Sequence, residues 1–136
     1  MTDRQLMDLA CAARERAYCP YSGYAVGAAL LDTDGRVWTG CNIENASYGP
    51  TNCAERTAFF KAVSEGVTSF EKIAIAGGPA GTAPAAPASP CGICRQVMAE
   101  FCPESFVILL LQQDGSLSAH RLGDLLPHSF GPGALG

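Results

Sequence analysis

The sequence predicts an α/β fold in which helices pack on one sheet, and three observations predict it. The 136-residue chain is 48% hydrophobic and 16% charged, so it has enough apolar residues to form one core without disulfide bonds or structural metals. Apolar residues recur at helical spacing in some segments and form short continuous runs, typical of buried strands, in others. Glycine and proline signals separate these segments, so that strands and helices alternate along the chain. We expect a single domain over residues 1–136.

The first third of the chain predicts one helix and a β-hairpin. From Thr2 to Tyr18 the apolar side chains recur at steps of three and four residues, which predicts an amphipathic helix that Pro20 stops. Tyr24 to Leu31 is apolar enough to be a largely buried strand. The pair Asp34-Gly35 is typical of a hairpin turn, and a second strand then runs from Arg36 to Asn42.

The middle of the chain predicts a second helix, a strand and a long loop. Cys53 to Val63 carries an apolar face typical of a helix, and Gly66 lies where such a helix would end. Phe70 to Ala76 follows as a strand. Gly77 to Pro90 is rich in Gly, Ala and Pro and has no periodicity, so we expect a loop with a mobile tip.

The last third predicts a third helix and two more strands. The helix runs from Cys91 to Phe101, and a buried strand follows from Ser105 to Gln112. A short edge strand is predicted from Leu117 to Arg121. Gly123 to Leu126 adds a last helical turn.

Charge and hydropathy exclude several classes of partner. The net charge of −4 argues against a protein that grips polynucleotides, because such proteins neutralise phosphates with Lys and Arg. The first residues lack the apolar stretch of a secretory signal. The longest apolar run, Phe106 to Leu111, is far shorter than the roughly 20 residues that span a bilayer. We therefore expect a cytoplasmic protein that binds neither nucleic acid nor membrane.

The cysteines are the first sign of chemistry. The chain has seven, an odd number that cannot pair completely, and cytosolic thiols stay reduced. Cys91 and Cys94 lie three residues apart where a helix begins, so both sulfurs face the same side, and the helix dipole there favours the thiolate. By itself this C-x-x-C pair is compatible with a metal site, a redox dithiol or two small buried residues.

A second motif favours a catalytic metal site. Cys53 and Glu55 open the other central helix, and Cys-x-Glu followed far downstream by Pro-Cys-x-x-Cys is a zinc-deaminase signature in which Cys replaces the usual first His. Three protein ligands leave the fourth zinc position open to water, which is the arrangement of a catalytic site. A structural site would need a fourth ligand, and Cys102 is a poor candidate because it lies at the far end of its helix.

Over nearly its full length the chain resembles the small, homotetrameric cytidine deaminases. Five motifs in the same order carry the resemblance: Tyr21-Ser22 with Val26-Gly27-Ala28-Ala29, Gly40 to Gly49, Cys53-Ala54-Glu55-Arg56-Thr57-Ala58, Ser89 to Gln96, and Leu125-Leu126-Pro127 with Phe130-Gly131-Pro132. The resemblance implies a three-layer α/β/α sandwich around a mixed five-stranded sheet. It also implies zinc-dependent hydrolysis of cytidine and 2′-deoxycytidine to uridine and 2′-deoxyuridine, with release of ammonia, in pyrimidine salvage. The active sites would be shared between subunits of the homotetramer.

The resemblance assigns roles at the metal. Cys53, Cys91 and Cys94 would hold Zn²⁺, which can lower the pKa of bound water to about 7. Glu55 is not a ligand in this family; it would take the proton of that water, deliver it to ring nitrogen 3, and help to protonate the departing ammonia. Three thiolates leave the zinc centre with an excess negative charge. Arg56 would offset it by hydrogen bonding to ligand sulfurs.

Six further residues match substrate contacts of the family: Tyr24, Asn42, Glu44, Tyr48, Ala54 and Phe130. Asn42 and Glu44 would hydrogen bond to the ribose hydroxyls, and the backbone of Ala54 would meet the pyrimidine edge. Tyr24 stands against the base where the family usually has Phe. Phe130 would stack on the base from a neighbouring subunit, and Tyr48 likewise would reach across.

Departures from the family pattern leave alternatives open. Gly23-Tyr24-Ala25 replaces Lys-Phe-Pro, Pro50 replaces Leu, and Asn52 replaces an aliphatic residue, and all three changes touch the pocket wall. They bear on fine specificity and not on the reaction class. The alternative function is a deaminase of a cytosine-containing nucleoside antibiotic, which shares the metal motif and fold, whereas Asn42 and Glu44 favour a substrate with a free ribose. A thiol–disulfide protein that uses Cys91 and Cys94, a purely structural zinc module and a polynucleotide-editing deaminase are the other classes to be tested.

Overall fold

The computed structural model describes residues 1–84 and 87–135 of the chain. Its elements follow in the order α1 (Asp3–Arg14), β1 (Tyr24–Asp32), β2 (Val37–Cys41), α2 (Ala54–Ser64), β3 (Phe70–Pro79), α3 (Gly92–Phe101), β4 (Val107–Leu111), β5 (Leu117–Arg121), α4 (Leu122–Leu125) and a 3₁₀ turn (Pro132–Ala134). In the part of the chain described here, no helix has the length and apolar character needed to cross a membrane.

The five strands form one mixed sheet in the order β2-β1-β3-β4-β5. Strands β3 and β4 pair in parallel, and α3 lies in the connection between them. The pairs β1–β2, β1–β3 and β4–β5 are antiparallel. The predicted mixed five-stranded sheet flanked by helices is therefore confirmed.

Two apolar cores lie on opposite faces of this sheet, because successive strand side chains point to opposite sides. Helix α1 covers one face, where Leu6, Met7 and Ala10 are fully buried. Helices α2 and α3 cover the other face, where Phe59 and Met98 are buried. The layers are thus helix, sheet and helix, and every cysteine of the predicted metal site lies on the α2/α3 side.

Helix α1 is shorter than predicted. It begins with a capping box between Thr2 and Gln5 and ends at Arg14, whereas the apolar spacing continues to Tyr18. The chain leaves the helix early because the backbone of Tyr18 pairs with the segment after β2: its N–H donates to the carbonyl of Asn42, and its carbonyl accepts from the N–H of Glu44. Tertiary pairing overrides the local helical pattern here.

Strand β3 is longer than predicted, and the following loop is correspondingly shorter. The strand continues past Ala76 to Pro79 because β1 begins at Tyr24, whose partner across the antiparallel pair is Pro79. The middle of the predicted 77–90 loop, residues 85 and 86, lies outside the described residues, so its expected mobility stays a prediction. The predicted turn at Gly123–Leu126 is present as α4, Leu122–Leu125.

One glycine brings α2 close to the sheet. A Cβ atom on Gly40 in β2 would lie 2.5 Å from the carbonyl oxygen of Ala54 and 2.6 Å from the amide nitrogen of Ala58, far inside van der Waals contact. Only glycine therefore allows the first turns of α2 to rest against β2. This contact sets the position of Cys53, which immediately precedes α2.

Candidate active site

Two cysteines occupy the N-cap positions of neighbouring helices. Cys53 caps α2 and Cys91 caps α3, both in extended backbone conformation, and neither side chain makes a capping hydrogen bond. Cys94 lies in the first turn of α3 and is 1% exposed. Helix N-termini stabilise negative charge, so this arrangement directs two helix dipoles at sulfur atoms that are free to bind something else.

The spacing of the three sulfurs fits a zinc ion. The Sγ atoms of Cys53 and Cys91 are 3.7 Å apart and those of Cys91 and Cys94 are 3.5 Å apart, and all three lie within 4.8 Å of one another. Tetrahedral zinc with Zn–S bonds of about 2.3 Å places its sulfur ligands about 3.8 Å apart. Among the described residues no His, Asp, Glu or further Cys joins this group. Cys102 lies at the other end of α3, as predicted.

Arg56 supports negative charge on this sulfur group. Its Nη2 donates to the Sγ atom of Cys53 at 3.3 Å. Hydrogen bonding from Cys94 is the main cause that lowers the pKa of the Cys53 thiol to about 5, and the Arg56 guanidinium contributes to the same shift. Among the residues that the structure describes, the buried Nε of Arg56 has no hydrogen-bond partner, which leaves one more donor on this side chain.

Glu55 lies next to the sulfur group and is almost completely buried. Its side chain is 4% exposed, and burial raises its pKa to about 7. It lines a cavity of about 170 Å³ together with Cys53, Ala54 and Asn42. Side chains two residues apart diverge on a regular helix, but Cys53 is an extended N-cap residue, so both groups border one space.

The two predicted ribose-binding residues are held by backbone groups. The Oδ1 atom of Asn42 accepts from the N–H of Val26 at 2.9 Å, and its Nδ2 donates to the carbonyl of Tyr24 at 2.8 Å. The carboxylate of Glu44 accepts from the backbone N–H groups of Tyr21 and Ser22, at 2.9 and 3.1 Å, and from the Ser22 hydroxyl. The hydroxyl is the main reason that the pKa of Glu44 is lowered.

Glu44 borders a second cavity of about 290 Å³, which adjoins the first because Thr51 lines both. Tyr48 also lines the second cavity and is 79% exposed. Tyr24 and Phe130 line neither cavity within a single chain. The Tyr24 ring lies beside Gly77, and Phe130, which is 61% exposed, borders a groove along α3.

Ser22, Thr51 and Thr57 also shape this site, although no role was predicted for them. Ser22 holds the carboxylate of Glu44, and Thr51 lines both cavities. Asn52 donates through Nδ2 to the hydroxyl of Thr57, which lies near the carbonyls of Cys41 and Cys53. Ser22 and Thr57 belong to motifs shared with the family, but their hydrogen-bond partners depend on the fold and have no signal in the sequence.

Comparison with known proteins identifies the family. The family described as "Cytidine and deoxycytidylate deaminase zinc-binding region" matches residues 1–110 of the 136. The chain is 53% identical over 118 residues to a cytidine deaminase of Sporosarcina psychrophila, covering 87% of this chain and 83% of that protein. It is 51% identical over 129 residues to a cytidine deaminase of Halalkalibacterium halodurans, with 94% of each chain covered.

A solved structure agrees in fold as well as in sequence. The crystal structure of a cytidine deaminase from Burkholderia pseudomallei matches with a TM-score of 0.87 and 47% identity, and the match covers 96% of this chain and all of that one. The family match extends over Cys53, Cys91 and Cys94. The chain therefore belongs to the family of cytidine and deoxycytidylate deaminases that share this zinc-binding region.

Proposed function

We propose that the protein catalyses the hydrolytic deamination of cytidine and 2′-deoxycytidine to uridine and 2′-deoxyuridine, with release of ammonia. The observation that carries this proposal is the meeting of three cysteine sulfurs from two helix N-termini beside a buried carboxylate, with Cys53 and Glu55 bordering the same cavity. A redox dithiol needs only Cys91 and Cys94, and a structural zinc module needs a fourth ligand and no Glu55.

Cys53, Cys91 and Cys94 would hold the zinc ion, which supplies Lewis acidity that makes water a nucleophile near neutral pH. Glu55 accepts the proton of the attacking water, passes it to ring nitrogen 3 of the base, and helps to protonate the leaving ammonia. A group that both accepts and donates works best with a pKa near the working pH, and burial of Glu55 moves its pKa in that direction. Arg56 offsets the charge of the thiolates.

The polar groups beside the cavities supply recognition of a nucleoside. Asn42 uses one donor and one acceptor within the chain, so its amide keeps another N–H and another lone pair for a ribose hydroxyl. Glu44 is held in place by three donors and keeps acceptor capacity for the sugar. The backbone of Ala54 lies between Cys53 and Glu55 at the cavity wall, where it would meet the pyrimidine edge.

The proposal includes a homotetramer with shared sites, formed by one domain over residues 1–136. The high exposure of Phe130 and Tyr48 supports it, because large aromatic side chains on a surface are typical of protein contacts. Phe130 would stack on the base bound by a neighbouring subunit, while Tyr24 would contact the base from its own subunit. We place the enzyme in cytoplasmic pyrimidine salvage, where its seven unpaired cysteines would stay reduced.

Metal analysis and an ultraviolet assay on the same preparation test this proposal. We expect one zinc per chain and loss of the cytidine absorbance band as uridine forms. Zinc without turnover would favour the structural module, and absence of metal with reversible oxidation of Cys91 and Cys94 would favour the dithiol protein. A deaminase of nucleoside antibiotics is not favoured, because the relatives above are cytidine deaminases. Turnover of a sugar-modified analogue but not of cytidine would reverse that judgement.

A further inference from the structure

Arg95 follows the third cysteine of the sulfur group directly and has no role in the mechanism proposed above. Its guanidinium makes three hydrogen bonds with neutral acceptors. Nε donates to the carbonyl of Pro90 at 2.8 Å, Nη2 to the hydroxyl of Ser89 at 2.9 Å, and Nη1 to the carbonyl of Leu125 at 2.6 Å. The ion pairs found among the described residues do not include Arg95.

These acceptors belong to two segments that are far apart in sequence. Ser89 and Pro90 lead directly into Cys91, while Leu125 ends α4. The planar guanidinium presents its N–H groups in a fixed fork, so it holds both segments at a defined distance from α3. The Cys91 side chain makes no capping hydrogen bond and is exposed, but its carbonyl accepts from the backbone N–H of Arg95 at 3.0 Å, so Arg95 contacts Cys91 as well as the two residues before it.

The next residue, Gln96, contacts the segment that carries Phe130. Its Nε2 donates to the backbone carbonyl of Phe130 at 2.8 Å, and both residues border the same groove along α3. Two consecutive residues of one helix therefore hold the approach to Cys91 and the backbone of Phe130.

We propose that Arg95 and Gln96 are positioning residues that tie the metal ligand Cys91 and the aromatic Phe130 to one helix. This inference rests on the proposed function, because it takes zinc as the ligand of Cys91 and the nucleoside base as the partner of Phe130. Arg95 sets the position of the Cys91 sulfur and so the affinity for zinc. Gln96 sets the position of Phe130 and so the affinity for the nucleoside.

The Arg95→Met variant tests the first half by competition for zinc with a chromogenic chelator. We expect its zinc affinity to fall by about 10–100-fold, the loss typical of removing a group that supports a metal ligand. Arg14→Met is the matched control, because the buried Arg14 also donates to three carbonyls, those of Ala25, Thr82 and Pro79, on the α1 side. Its zinc affinity should stay unchanged.

If either methionine variant fails to fold, the pair Arg95→Lys and Arg14→Lys carries the same comparison. Lysine keeps the charge but not the fork, so Arg95→Lys should still lose zinc affinity where Arg14→Lys does not. Equal zinc affinity in the folded Arg95 variants and in the wild type would overturn the role of Arg95.

The Gln96→Leu variant tests the second half by kinetics. We expect KM for cytidine to rise about 2–10-fold, the effect of one lost hydrogen bond, with kcat and zinc affinity unchanged. Gln112→Leu is the control, because Gln112 also donates through Nε2 to one neutral oxygen, the Ser118 hydroxyl, far from the site. An unchanged KM in Gln96→Leu would overturn the role of Gln96.

The two measurements separate this inference from the proposed function. A wild-type protein that holds zinc without converting cytidine would refute the proposed function. The comparison of zinc affinities between the Arg95 and Arg14 variants would still decide the role of Arg95. A wild-type protein that converts cytidine, with zinc affinity and KM unchanged in the variants, would sink only this inference. If Arg95 and Gln96 had only a structural role, all the variants would lose thermal stability. The Arg95 variants would then not lose zinc affinity selectively, and Gln96→Leu would not raise KM selectively.

Discussion

Two buried carboxylates in this molecule have opposite pKa shifts. Asp32 ends β1 and is 1% exposed, and Glu55 lies in the first turn of α2 and is 4% exposed. Burial alone would raise both pKa values. At Asp32 it is outweighed by hydrogen bonds from the Trp38 indole and from the backbone N–H groups of Arg36 and Asp34, at 3.1, 3.0 and 2.9 Å, so its pKa is lowered. At Glu55 burial dominates and the pKa rises to about 7.

The helix N-termini repeat this contrast. Helix α1 begins with a reciprocal capping box between Thr2 and Gln5, whereas α2 and α3 begin with cysteines that cap nothing. In the hairpin and at α1, polar groups are paired for stability. At the N-termini of α2 and α3 the thiols of Cys53 and Cys91 make no capping hydrogen bond, so these helices lack the stabilisation that a cap gives. The sulfur atoms are instead available to the site. Substitutions in these two sets of groups should therefore have separable effects on stability and on turnover.

The largest effect is expected for Glu55→Gln. An amide cannot carry the proton from water to the base, so turnover of cytidine should fall by about 10²–10⁴-fold, the contribution typical of general acid–base catalysis. Zinc content, measured by metal analysis, should not change because Glu55 is not part of the group of three sulfurs that could hold the metal. Glu15→Gln at the exposed end of α1 is the control and should leave turnover unchanged. Full activity of Glu55→Gln would show that Glu55 is not the group that transfers the proton.

Removal of zinc should have the next largest effect, which is a loss of stability of the folded state. A ligand that binds only the folded state stabilises it by about 4 kcal/mol when present at 1,000 times its Kd. Chelation should therefore lower the thermal midpoint of the wild type, and Cys94→Ser should not respond to the chelator. Hydrogen exchange should increase around Cys53 and Cys91 and stay constant at the Asp32 hairpin. An equal increase in hydrogen exchange at the sulfur group and at the Asp32 hairpin would show that zinc stabilises both regions together.

Asp32→Asn should destabilise the fold without affecting the site. The Asn side chain offers one acceptor oxygen where the carboxylate offers two, so the Trp38 indole loses its partner, at a cost of about 1–3 kcal/mol. The pKa of Asp32 is lowered in the folded state, so its charged form contributes stability above its unfolded pKa, and that contribution is lost as the pH falls through its folded pKa.

Denaturant titrations of the wild type and Asp32→Asn at several pH values measure this effect. The difference in unfolding free energy should be constant near neutral pH and should shrink in acid. A difference that grows in acid would show that the sign of the Asp32 shift is wrong. Turnover of cytidine at pH 7 should be equal in the two proteins.

The smallest effect is expected for Thr2→Ala. Loss of the capping box should cost about 0.5–2 kcal/mol of stability. Zinc affinity and turnover should be unchanged, because α1 lies on the opposite face of the sheet from the sulfur group. Thermal unfolding with and without chelator measures the stability and the response to zinc removal, and the ultraviolet assay on cytidine measures turnover. A change in the chelator response or in the turnover of Thr2→Ala would contradict this expectation.

Much of the fold is predictable from local pattern. Each predicted helix and strand has a counterpart, and Gly66 lies just beyond α2 with a φ of +90°, as its predicted place at a helix end requires. The errors lie at boundaries that distant partners decide. The helical spacing up to Tyr18 gave no sign that its backbone would pair with Asn42 and Glu44. Likewise, nothing before Gly77 shows that β3 continues to pair with β1.

The candidate site follows the same rule. Its residue types were predictable because Cys53, Glu55, Cys91 and Cys94 stand at motif spacing, and the structure brings the three sulfurs together. The hydrogen bonds to Glu44 were not, because they join segments more than 20 residues apart. The placement of Phe130 against a base also stays a prediction, since it depends on a second copy of the chain.

The central place of β3 has a consequence for the order of assembly. Cys53 and Cys91 are separated by 38 positions, and the strand between them, β3, lies between β1 and β4 in the sheet. A chain in which β3 has not joined the sheet would offer a metal mainly the C-x-x-C pair, which would bind more weakly than the three sulfurs together. If zinc binds as proposed, full zinc loading would require a complete sheet, and chains with an incomplete sheet would keep these thiols exposed to oxidants and competing ions.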